Sequence, residues 1–163
     1  MIRRRRPPAP IERTGDGYVI NVEAPERDLL ERLLGELTQL LTTDTDVPAL
    51  RRAFPPAYHL PGDEESEAEY QRLMRDELVA SRLDALTTVS AALREHAVLD
   101  EAGLGALMQS LNALRLVLGT MLDVDEEHDL DDVSPDDPLV GEHQLYGYLS
   151  YLLDAAVRAA TAA

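Results

Sequence analysis

The segment Leu104 to Leu122 constrains this chain more than any other. Leu104, Leu107, Met108, Leu111, Leu114, Leu118, Met121 and Leu122 recur at helical spacing. Leu116 and Val117 add apolar surface beside that stripe. A helix that is apolar on more than one side belongs at the centre of a domain. Asp100 stands where a helix N-cap is favoured. Inside the run, Asn112 and Arg115 lie three residues apart and share one face. An amide and a permanent cation in so apolar a helix need partners or water.

Three further helices are predicted around it. Pro25 suits a first helical position, with Glu26 and Asp28 in the first turn, where the helix dipole favours acids. Leu29, Leu30, Leu33, Leu34, Leu37, Leu40 and Leu41 continue that helix to Thr42 or Thr43. Residues 44–62 hold four prolines and form a long connection, with one helical turn expected at Pro48–Ala53. A second helix opens in the acidic stretch 63–69 and runs to Glu95 or His96. Tyr70, Leu73, Met74, Leu78, Leu86, Val89 and Leu93 form its core face, and Thr87, Thr88 and Ser90 suggest a bend. The last helix starts near Pro138 or Leu139 and ends near Ala160. Leu145, Leu149, Leu152, Leu153 and Ala156 make its stripe.

Ahead of these helices, Ile11 to Glu23 reads as a hairpin with a turn at Asp16-Gly17. Residues 1–10, with four arginines and three prolines, are expected to be a disordered tail. The fold class is therefore mainly all-α: a four-helix bundle-like single domain over 11–160, with a short N-terminal β-hairpin.

The charge is lopsided. The 163 residues carry 31 acids against 15 basic residues, all arginine, for a net charge of −16. Four of those arginines stand together at Arg3–Arg6, so the rest is more acidic still. Such a surface repels DNA, RNA and anionic lipid and favours a partner with a basic surface. Cysteine is absent, which excludes disulfides, thiolate catalysis, thiol redox sensing and cysteine-ligated metal. Arg3–Arg6 is followed by prolines rather than an apolar segment, and no apolar run approaches a membrane span, so a cytoplasmic protein is expected.

Motifs for chemistry are weak. Asp123, Asp125 and Glu127 have the opening spacing of a calcium loop, but His128 replaces its glycine and Ser134 its terminal acid. His59, His96, His128 and His143 form no metal-ligand spacing. No nucleophile elbow, phosphate loop or dinucleotide fingerprint is present. No metal, cofactor or enzymatic activity is expected. Arg72 and Asp76 are four apart and can pair along the second helix. Asp76 or Glu77 is a natural partner for Arg115 if the second and third helices pack together. Arg72, Asp76, Glu77, Arg82, Asn112 and Arg115 are thus the candidate binding residues, with an inter-helix salt bridge their expected role. Tyr148 and Tyr151 are candidate interface residues, because aromatics with polar tips suit interfaces.

Leu111-Asn-Ala-Leu-Arg-Leu-Val-Leu-Gly-Thr120 resembles the signature of the actinobacterial domain of unknown function 2017 family. Glu69 to Leu78, followed by Arg82-Leu-Asp-Ala-Leu86, is similar to that family's second-helix pattern. The N-terminal strand, the Pro-rich connection and the final Tyr-Gly-Tyr-Leu helix fit as well. Members typically lie beside the Clp protease adaptor gene, and some are described as oxidative-stress regulators of transcription. The resemblance therefore implies a non-enzymatic regulator that binds another protein, with a sigma factor or a Clp component as the partner. Cysteine redox sensing, proposed for some members, is impossible here. The alternatives are a DNA-binding regulator using Arg3–Arg6, and a small-molecule sensor with Asn112 and Arg115 in its pocket. A homodimer through the third or fourth helix is a further option.

Overall fold

The structure is a computed structural model and describes residues 7–43, 48–54, 60–124 and 130–162. Two antiparallel strands, β1 (Ile11–Thr14) and β2 (Gly17–Ile20), precede four helices. These are α1 (Ala24–Thr43), α2 (Glu64–Glu95), α3 (Glu101–Met121) and α4 (Val140–Thr161). The expected mainly-α class with an N-terminal hairpin is what forms. A 3-10 turn at Pro48–Leu50 sits in the proline-rich connection.

The predicted hairpin turn is displaced by one residue. Thr14 pairs with Gly17, so Gly15 and Asp16 make the turn. Gly17 is needed for a different reason. Its φ is +137°, and a Cβ there would lie 2.3 Å from the Leu99 carbonyl oxygen. That closeness lets Tyr18 and Leu99 exchange backbone hydrogen bonds of 2.8 Å, tying the hairpin to the α2–α3 connection. The ring of Tyr18 is buried, and its hydroxyl donates to Glu101 Oε1 at 2.7 Å. That bond, with burial second, raises the Tyr18 pKa above its ordinary value.

Helix α3 is central, packing on α1, α2, α4, the hairpin and the 3-10 turn. Asp100 caps it as predicted, its Oδ1 accepting from Gly103 N at 2.7 Å. Asp123 takes φ +53° beyond its C-terminus, and Val124 N donates to Gly119 O at 3.0 Å, closing the last turn. Leu104, Leu107, Leu111 and Leu114 are buried in one core with Leu30, Leu34, Leu37 and Leu41 of α1. Leu86, Val89 and Leu93 of α2 and Leu149, Leu152 and Ala156 of α4 complete it.

Two predicted core residues are exposed. Leu73 is 61 % exposed. The 32-residue α2 spans about 48 Å and the 21-residue α3 about 32 Å, so the first turns of α2 overhang its antiparallel neighbour. Met121, in the last turn of α3, is 66 % exposed. Helix α2 runs unbroken through Thr87, Thr88 and Ser90, with Thr87 Oγ1 bonded back to Leu83 O at 2.8 Å.

Candidate functional site

Three features compete as the functional site: the predicted polar cluster, a groove and a cavity. The cluster is not the salt bridge expected. Arg115 Nη2 donates to Asn112 Oδ1 at 3.2 Å, joining these two residues of α3 to each other. Asp76 and Glu77 are exposed and form no ion pair with Arg115. Counted back from the α2–α3 connection, Arg115 lies level with Ser81 and Arg82, about 8 Å short of Asp76. Arg72 is also exposed and does not pair with Asp76. Arg158 pairs instead with Asp154 one turn back along α4, at the surface.

Arg82 does something the sequence reading missed. Its Nη2 donates to Ala53 O, and its guanidinium lies over the Phe54 ring, 5.0 Å from the centroid. Arg75 lies over the same ring at 5.0 Å. Burial pulls the Arg82 pKa below its usual value. Next along the connection, Arg52 Nη1 donates to Val124 O at 2.6 Å. These arginines pin the proline-rich connection onto α2 and the end of α3. Arg82 Nε and Arg115 Nε are buried and make no hydrogen bond. None of the cavities described below reaches either side chain.

The tyrosine pair divides. Tyr148 folds inward, half-buried, and its hydroxyl donates to Glu26 Oε1 at 2.9 Å, joining α4 to the start of α1. Burial first, and that bond second, push its pKa well above the ordinary tyrosine value. Tyr151 alone is at the surface, 51 % exposed.

Between α1, α3 and α4 runs an apolar groove of about 400 Å³. Leu33 and Leu40 form one wall, Val117 and Met121 another, and Leu145 the third. Glu36 is its one charged lining residue. The groove is what remains when the apolar circumference of α3 exceeds what its neighbours cover. Met121, assigned to the core from its spacing, stands at its mouth.

A second cavity, of about 580 Å³, lies where β2, the start of α1 and the end of α2 meet. Arg27 lines it while being 9 % exposed. Its Nη1 donates to Leu93 O at 2.8 Å and its Nη2 to Ile20 O at 3.4 Å. Leu93 is in the last turn of α2, where helical carbonyls lack backbone donors. The guanidinium thus caps α2 and sits at the negative end of its dipole. The sequence signal was available: Arg27, Leu30, Leu34, Leu37 and Leu41 alternate by three and four, so an arginine occupies a core position. A third cavity, of about 600 Å³, is lined by α2 and α3 near Gly103. No group of three metal-ligating side chains occurs among the described residues.

A family model described as a domain of unknown function, DUF2017, matches residues 6–160. The chain belongs to the DUF2017 family. No curated protein and no solved structure matches it. The DUF2017 match takes in the hairpin, α1, α2, α3 and α4 to residue 160, so groove and cavity both lie within the family domain. Among the described residues no helix of this DUF2017 chain is long and apolar enough to cross a membrane. Arg3–Arg6, His59, Asp125, Glu127 and His128, weighed above as candidates, lie outside the described residues.

Proposed function

We propose that the chain is a cytoplasmic, non-enzymatic regulator that acts by binding another protein. The groove between α1, α3 and α4 receives an amphipathic helix of the partner, with basic residues beside its apolar face. The groove carries this reading: nine of its ten lining residues are apolar, and the tenth is Glu36. Laying an apolar helix face into such a groove is a recurrent mode of recognition. Charge selects the occupant. With −16 on the chain, a second copy would bring acid against acid, whereas a basic segment is attracted. A sigma factor or a Clp component with such a helix fits the family resemblance.

A photo-crosslinking residue at position 121 in the native cell, with one at position 72 as control, tests the reading. The expected result is one adduct specific to position 121, whose partner, purified, rebinds the chain and loses affinity at least tenfold to Leu40→Glu. Adducts identical at both positions, or a reconstituted complex indifferent to Leu40→Glu, would overturn it.

A further inference from the structure

The Arg27 cavity lies about 20 Å along α1 from Leu40 in the groove and has a different chemistry. A guanidinium never loses its charge at ordinary pH, and burying one calls for a counter-charge. Arg27 is nine-tenths buried, yet its two acceptors are backbone carbonyls, and no carboxylate lies within 4 Å of it. Two of its five N–H donors are used, in a cavity it lines.

Four charged residues line this space: Arg27 and Arg94 are cationic, Asp28 and Glu31 anionic. Among them no ion pair forms within 4 Å. The wall is therefore neutral in sum but split in sign, with Glu31 one helical turn beyond Arg27. A multiply charged anion such as phosphate would meet Arg27 but also Asp28 and Glu31. A molecule with one carboxylate and one ammonium satisfies both signs at once. The rest of the lining is mainly small and aliphatic, including Val22 and Ala97, and about 580 Å³ falls in the range of small-molecule sites.

We propose that this cavity binds a free α-amino acid with a short aliphatic side chain. Its carboxylate is held by Arg27 and its ammonium by Glu31. The chain would then read amino-acid supply at one end of α1 while its partner docks at the other.

The test is an amide NMR titration of the full chain with L-alanine, L-valine and L-leucine. In parallel, 4-methylpentanoate and 3-methylbutylamine each offer half of the leucine recognition, and sodium phosphate offers a bare anion. The expected result is saturable shifts at residues 19–22 and 92–97 with at least one amino acid. Affinity should be at least tenfold weaker for either half molecule and for phosphate. Arg27→Gln should abolish the shifts. Because Arg27 also caps α2, Glu31→Gln provides the decisive second variant. It should leave the helical spectrum intact and erase the preference for leucine over 4-methylpentanoate. No saturable shifts with any of the three amino acids, tighter binding of phosphate, or an unchanged preference in Glu31→Gln would each overturn the proposal.

Discussion

Replacing Arg27 with methionine separates a buried cation that holds the fold together from one the fold merely tolerates. Methionine keeps the length and apolar stem and removes the guanidinium. The bond to Leu93 O is 2.8 Å long and charge-assisted, and such bonds contribute about 1.5–3 kcal/mol. The charge at the C-terminus of α2 adds roughly 0.3–1 kcal/mol. Against these stands the relief of no longer desolvating a cation, which in other buried pairs offsets part of the loss. The net expectation is a loss of about 2 kcal/mol, a fall in Tm of about 4–8 °C for a domain of this size. Arg94→Met is the control, since it removes a cation from the same helix end at an exposed position. It should change stability by less than about 0.5 kcal/mol. Calorimetry on both variants decides. If Arg27→Met melts with Arg94→Met, or above the parent chain, the carbonyl bonds are not what anchors α1 to α2.

Gly17→Ala should cost roughly 3 kcal/mol in urea unfolding, because a Cβ 2.3 Å from the Leu99 carbonyl breaks the bridge that docks the hairpin. Gly15→Ala, whose Cβ meets nothing within 4 Å, should not share that loss. Arg115→Met should leave stability within about 1 kcal/mol of the parent or raise it, since the guanidinium's hydrogen bond goes to Asn112 on its own helix and its Nε is buried without one; a loss of several kcal/mol would refute this. Tyr148 binds its proton more tightly folded than unfolded. Its contribution is therefore fully present below the unfolded pKa of about 10 and lost as pH rises above it. Urea midpoints between pH 9 and pH 11 should fall more steeply for the parent than for Tyr148→Phe, and parallel slopes would refute this.

Much of the fold is legible in the sequence because leucine spacing dictates helices and their inward faces. Asp100 and the acidic openings mark where helices begin. What escapes is whatever depends on how far one element extends past another. Leu73 and Met121 have core spacing and lie exposed, one because α2 overhangs α3, the other because α3 offers more apolar surface than its neighbours cover. The Asp76–Arg115 pairing failed for the same reason, since register along two antiparallel helices is set at their connection. Gly17 reads as a turn residue beside Asp16, whereas its conformation answers to Leu99, 82 residues away. Arg27 stands between Glu26 and Asp28, so its turn has the look of a solvated one, although the three-four alternation with Leu30 and Leu34 puts it inside.

The proposed function places a basic, apolar-faced partner helix in the groove at Met121. Fluorescence anisotropy with the partner's helix, labelled, against the parent chain and Met121→Glu tests it most directly. Attraction by overall charge alone would strengthen binding to the more acidic variant. Occupancy of the groove predicts the reverse: a loss of tenfold or more, equal to about 1.4 kcal/mol or more of apolar burial. Unchanged or tighter binding by Met121→Glu would contradict the account.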